Sequence, residues 1–296
     1  MKKFTKFCIT AGVIFSILGG SAMAAGAVGG GWKEVSGAGA MEVSSWSSSE
    51  SLTLDAQTYS FLEFQLSDEN IVLRPSQDGN IHIRYTDHAH VRYHTRTEAP
   101  TESGTGGTFV FTRMELDSGF HFGFTFRNEE QILVSLPKGV GVSISTVSGD
   151  MELENLDLQS LTISTSSGDS DMDHLTVAGD LMVSSISGDQ ELENIAVSGS
   201  THLESTSGEI DLQGCQLTGT SLYSVSGDLS GSAQISGDIT LDTTSGDVKL
   251  DLRGSPAHRR GTVSTVSGDV QLEGLVEDAA YAIDIETVSG DVDIKQ

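Results

Sequence analysis

The word TVSGD stands at residues 146–150, again at 265–269, and a third time at 287–291 inside the closing ETVSGDVDIKQ (286–296). Its looser form, [ST]-x-S-G-[DE], places a glycine at Gly149, Gly168, Gly188, Gly208, Gly227, Gly246, Gly268 and Gly290, at spacings of 19 to 22 residues. A fainter echo falls midway, as VAGD (177–180), VSGS (197–200), LTGT (217–220) and ISGD (235–238). Self-similarity at a fixed period of about 20 marks a repeat whose units bury their apolar faces only against one another.

Between the glycines, apolar and polar residues alternate. Leu161 and Ile163 precede one corner, Met172 follows it, and Leu175 and Val177 come next; Leu181, Val183, Leu192, Ile195 and Val197 repeat the set. Period-two runs broken by glycine turns read as short strands with one face buried, and no 3.6-residue period competes. The expected fold is therefore all-β: a parallel β-solenoid, a right-handed β-helix of about 20-residue rungs, over residues 139–296. With strands about 4.8 Å apart, eight rungs stack to roughly 38 Å. An antiparallel meander or sandwich with the same period is the alternative. At each corner, glycine is expected to supply positive φ, and the flanking Ser and Asp to bond local amides. A hydroxyl column precedes the corners: Thr165, Ser185, Ser205, Ser224, Thr243, Thr265 and Thr287.

Stacking would also align Asp150, Asp169, Asp189, Glu209, Asp228, Asp247, Asp269 and Asp291. Carboxylates about 5 Å apart in water repel by roughly 0.8 kcal/mol per pair. Turn-capping bonds with diffuse counterions would offset this, and so would Ca²⁺ bridging adjacent rungs, since hard oxygen ligands suit it. The nonapeptide calcium-roll repeat is absent. DSDMDH (169–174) starts like an EF-hand loop but has His174 where glycine is required.

Residues 33–138 do not repeat. SFLEFQL, NIVLRP, NIHIRYT, VRYHTR, TFVFTRM, FHFGFTF and QILVSLP alternate as strands, with a turn at SQDGN (76–80) and a loop at EAPTESGTGG (98–107). They are expected to form a β-structured cap over the first rung, because an open end exposes core and strand edges. His88, His90 and His94 share a parity, with His82 nearby, and such a set could hold Zn²⁺ or Cu²⁺ on one strand face. Arg92 on that face would repel the cation, which favours a solvated surface.

The N-terminus reads as an export leader: basic MKKFTK, apolar FCITAGVIFSIL, and SAMA for cleavage after Ala24. The alternative is an uncleaved anchor reaching to about residue 32. Either places the remainder outside the cytoplasm. The net charge of −26 deepens to −29 if Lys2, Lys3 and Lys6 are removed. That balance repels nucleic-acid phosphates and suits cations or basic partners. Cys8 lacks a lipidation context, and cleavage would leave Cys215 without an intrachain partner.

The alternating N-terminal region, the junction ILVSLPKGVGVSISTVSGDMEL (132–153) and the SGD repeats together resemble the bacterial DUF4097 family, whose members are called adhesins. The resemblance spans about residues 55–296. It implies a β-solenoid, a surface or envelope role, no catalytic residues and no cofactor. The leader type suggests a Gram-positive source, and some relatives are tied to envelope-stress signalling. The leading expectation is a non-enzymatic surface-binding or structural module whose partner is a cell-surface protein, a glycan or a cationic peptide. The alternatives are an envelope-stress sensor binding cationic peptides and a polysaccharide-processing β-helix enzyme. Val292 and Ile294 in the last rung mark an expected contact for a partner or a second copy.

Overall fold

The computed structural model describes residues 47–88, 91–99, 106–115, 131–252, 261–274 and 283–295. Among these residues there are 23 strands and no helix. The leader, FHFGFTF (120–126) and His90 lie outside them. No described helix is long and apolar enough to cross a membrane.

The chain opens with β1 (Ser47–Leu54), β2 (Tyr59–Gln65), β3 (Asn70–Pro75), β4 (Ile81–His88), β5 (Val91–Glu98), β6 (Gly107–Glu115) and β7 (Gln131–Leu136). It continues through β8 (Val140–Ser145), β9 (Met151–Glu154), β10 (Asp157–Thr165), β11 (Ser170–Asp173), β12 (Thr176–Val177) and β13 (Leu181–Ser185). Next come β14 (Gln190–Glu193), β15 (Ala196–Val197), β16 (Thr201–Ser205) and two long strands, β17 (Ile210–Ser224) and β18 (Leu229–Thr243). β19 (Val248–Asp251), β20 (Gly261–Thr265), β21 (Val270–Glu273), β22 (Ile283–Thr287) and β23 (Val292–Lys295) complete it.

These strands stack as faces. Face A runs β5, β6, β2, β8, β10, β13, β16, then the ends of β17 and β18, then β20 and β22. Face B runs β1, β4, β7, β3, β9, β11, β14, the starts of β17 and β18, then β19, β21 and β23. A shorter third face joins the start of β10 to β12, β15 and the middle of β17. Apart from β5–β6 and β1–β4–β7 at one end, every pairing is parallel, which decides for the solenoid and against the meander.

Parallel stacking reaches back into the region read as a cap. The β2–β3 rung lies between the β6–β7 strands and the β8–β9 rung, so the chain inserts it out of order. Antiparallel β5, β4 and β1 cover the edges beyond. The histidines do not share one strand: His88 ends β4 and His94 lies exposed on β5.

The registers turn the alternation into ladders. Phe64, Ile144, Ile163, Val183, Leu203, Leu222, Leu241 and Val263 follow one another along face A, each at most 1% exposed. Each Leu or Ile so buried contributes about 1.5–3 kcal/mol. Along face B the same position reads Leu153, Met172, Leu192, Leu212, then Gly231, then Leu250 and Leu272.

The corners correct one expectation. None of the eight SGD glycines has positive φ. They are glycine because the backbone below comes too close: a Cβ on Gly168 would stand 2.0 Å from the carbonyl oxygen of Gly149, and one on Gly188 equally close to that of Gly168. Positive φ occurs at the opposite corner instead, at Asn155 (56°), His174 (54°), Asn194 (54°) and Gly214 (64°). Short polar side chains and glycine tolerate that region.

Candidate functional site

The SGD word works as a clip between rungs. Ser167 and Ser187 Oγ donate to carbonyls of the rung before, those of Val147 (3.2 Å) and Ser166 (3.1 Å). The glycine admits the carbonyl. The Asp carboxylate then accepts an amide from the rung after: Asp150 Oδ1 from Asp169 N–H (3.1 Å), Asp169 from Asp189 (2.9 Å) and Asp189 from Glu209 (2.8 Å). Asp228, Asp247 and Asp269 continue the series to Asp247, Asp269 and Asp291. The column of like charge is thus held by backbone N–H groups, whose charge-assisted bonds are stronger than neutral ones. These bonds cross rungs, not the local turn.

From Thr165 to Thr265 the hydroxyl column lies inside, while Thr287 in the last rung is exposed; the buried members bond within their own rungs. Thr165 and Ser185 accept the N–H of the glycine three residues on, at 3.0 and 2.8 Å, while Ser205 and Ser224 donate to that glycine's carbonyl. At the midway corner, Asp180 Oδ1 accepts the hydroxyl and amide of Ser200, both at 2.8 Å. Those bonds, the hydroxyl's first, hold the Asp180 carboxyl below its usual range.

The column starts earlier than its spelling. Asp150 N–H donates to Asn70 Oδ1 at 2.9 Å, and Gly149 packs over the carbonyl of Glu69. SDEN (67–70) is therefore a corner of the β2–β3 rung without the SGD letters. The Glu69 side chain turns into a buried cluster in which Arg113 pairs with it and with Asp68 (3.0 Å). Tyr93 donates to Glu69 Oε1 at 3.3 Å, and the Ser67 amide to Oε2 at 3.0 Å.

Among the described residues, no group of three or more His, Cys, Asp or Glu side chains is placed to hold a metal ion. His82 sits between Asp78 (2.8 Å) and Thr53 (3.2 Å), a hydroxyl–imidazole–carboxylate line across β1 and β4. Asp78 also accepts from Ser76 and Asn80, so the line pins the 76–80 turn. The bond from His82, ahead of those from Asn80, holds the exposed Asp78 carboxyl far below its usual range. Cys215 is buried, its thiol pushed up by burial and bonded to the Leu192 carbonyl at 3.2 Å.

The densest surface charge lies elsewhere, on the outward positions two and four residues after each corner glycine's Asp. One column of face B reads Glu152, Asp171, Glu191 and Asp211, and its neighbour reads Glu154, Asp173 and Glu193, each in register with the next. Arg74 caps this double column from the preceding rung, bonding Glu152 at 2.8 Å and Glu154 at 3.3 Å. Its far end opens into a groove of about 410 Å³, lined by Asp211, Gln213, Ser230, Gly231, Lys249 and Glu273 among others. Face A is different: its outward columns are paved with hydroxyls, Ser143, Thr162, Ser221, Thr240 and Thr262 in one, Ser145, Ser164, Ser184 and Ser264 in the other.

Parallel rungs clipped at SGD corners, with flat polar faces outward, define a β-solenoid of the repeat-surface type. The chain belongs to the DUF4097 family, described as Toastrack, whose model matches residues 59–295. The match begins where β2 opens the parallel stack. No curated protein matches the chain. Several solved structures resemble it, three of which follow. A "putative adhesin" from Bacteroides fragilis is 17% identical, with a TM-score of 0.42 over 84% of this chain and 96% of that one. A "putative adhesin" from Parabacteroides merdae is 12% identical, with a TM-score of 0.40 over 84% and 95%. A "putative cell adhesion protein" from Clostridium sporogenes is 12% identical, with a TM-score of 0.34 over 85% and 100%.

Proposed function

We propose that the protein is a non-catalytic binding module of the cell surface that holds a cationic partner along face B. The observation that carries this reading is the double carboxylate column from Glu152 to Asp211, seven acids on four consecutive rungs. Arg74 supports it from within the chain. One guanidinium there spans both columns, with Glu152 at 2.8 Å and Glu154 at 3.3 Å, so a basic side chain is the chemistry that fits. The net charge of −26 adds long-range attraction for basic peptides. The basic and apolar leader supports an extracytoplasmic location.

Titration with an oligolysine peptide at low and high salt tests the reading. Affinity should fall at least about tenfold as salt rises, because exposed charges are screened within roughly 8–10 Å. Binding that is absent at low salt, or unchanged by salt, would contradict it.

A further inference from the structure

Face A leaves its hydroxyl paving at both ends, at Glu63 and Gln65 and at Asp284 and Glu286, and once more in mid-stack. There the paving gives way on consecutive rungs to Met182 and His202 in one column and to Glu204, Tyr223 and Asp242 in the other. Five such positions side by side, with hydroxyls on the rungs before and after them, ask for a cause. Met182 stays 47% exposed, a large apolar side chain on an otherwise polar face. Glu204 is 8% exposed although its position points outward, with His202 Nε2 3.6 Å from its carboxylate. The His202 and Tyr223 rings lie 5.3 Å apart, tilted by 47°. From inside, Gln190 Nε2 donates to the Glu204 carbonyl at 2.7 Å and holds the backbone beneath the cluster.

Tyr223 is in register with Glu204 on one side and Asp242 on the other. Adjacent strands lie about 4.8 Å apart, so the ring is flanked by Asp242 on one side and on the other by the buried Glu204, beside His202. Burial first, then Asp242, with Glu204 the weakest contributor, push the Tyr223 hydroxyl upward against a lowering hydrogen bond with Ser221. An aromatic face between two carboxylates is the complement of a guanidinium, which stacks on the ring and donates from its edge. Met182, beside His202, suits the methylene stem of a long basic side chain.

We propose that Tyr223, Glu204, Asp242, His202 and Met182 form a docking site for an arginine side chain of a basic protein partner. This rests on the reading of a cationic partner and adds a second, residue-selective contact on a different face. Face B attracts any cation; this site tells arginine from lysine.

The test titrates the full chain with hexa-arginine, with hexalysine and with an N-acetylglucosamine oligomer. Tyr223→Ser restores the hydroxyl of the column, and Asp242→Asn keeps the shape while removing the charge; unchanged melting temperatures would show that both remain folded. The wild type should prefer hexa-arginine. Each variant should weaken hexa-arginine about five- to tenfold, erase the preference and leave hexalysine binding unchanged. Unaltered hexa-arginine affinity in both variants would overturn the site while leaving the face B reading in place. If the wild type bound neither peptide, that reading itself would fall, and the site with it. Oligosaccharide binding lost in Tyr223→Ser, with hexa-arginine binding intact, would reassign the site to a glycan and overturn the arginine proposal.

Discussion

Replacing Gly188 by alanine is expected to destabilise the stack by about 3–5 kcal/mol, among the largest single-residue effects in the molecule. The new Cβ would meet the Gly168 carbonyl oxygen at 2.0 Å and its carbon at 2.6 Å. Backbone held in register on both sides cannot yield as a side chain would. Relieving the clash means opening the rung spacing, which lengthens the Asp189 N–H bond to Asp169 Oδ1, now 2.9 Å. Gly219 is the control. Its φ is +50°, and a Cβ there would have nothing within 4 Å. Gly219→Ala should therefore cost only about 1–2 kcal/mol, the strain of the left-handed region. Urea unfolding of the two variants decides the point. A loss at Gly188 no greater than that at Gly219 would mean the SGD glycine is a turn former, not a spacer.

The second large effect belongs to the buried ion pair at the start of the corner column. Glu69 is 1% exposed, and the Arg113 side chain 6%. Arg113→Ala leaves the Glu69 carboxylate buried with only Tyr93 and two turn amides around it. Breaking a buried pair from one side costs about 3–5 kcal/mol, whereas replacing both partners by apolar residues of similar size is often neutral. The double variant Glu69→Leu, Arg113→Met should therefore recover most of the loss. The comparison is made by urea unfolding of the single and double variants. A single variant as stable as the wild type would remove this cluster from the account of how the stack begins.

The rungs were legible because the constraint that builds them repeats. A corner that must admit a carbonyl from below can only be glycine, so the glycine recurs wherever a rung does. Its reason was not legible: a glycine for positive φ and a glycine for close approach are the same letter. The β2–β3 rung escaped for a related cause. Its corner has nothing spelled SGD below it, so Glu69 can keep a side chain where Gly149 cannot, and Asn70 stands in for the acid. The shared parity of His88 and His94 did not place them on one strand, because β4 ends at His88 and His94 lies on β5. Attention to the conspicuous Asp of each word also hid the acids two and four places on, such as Asp171 and Glu191. Those positions vary between Asp, Glu, Gln, Ser and Lys, so they form no motif, yet register brings the acids of the first four such rungs into columns. In the line from Thr53 through His82 to Asp78, the local turn joins Asp78 to His82, and β1–β4 pairing brings in Thr53.

Two sets of carboxylates share the stack: the corner acids clip the rungs, and the face B acids are the ones proposed to hold a cationic partner. Oligolysine titration of two variants with equal charge loss separates these roles. One carries Glu152→Gln, Asp171→Asn, Glu191→Gln and Asp211→Asn on face B. The other carries Asp150→Asn, Asp169→Asn, Asp189→Asn and Asp228→Asn at the corners, where Asn70 already accepts the same kind of amide bond. At about 0.3–0.5 kcal/mol per exposed pair, the face B variant should bind roughly tenfold more weakly with a flatter salt dependence, and the corner variant within about threefold of the wild type. Equal losses in the two, or a larger loss in the corner variant, would contradict the assignment of binding to face B.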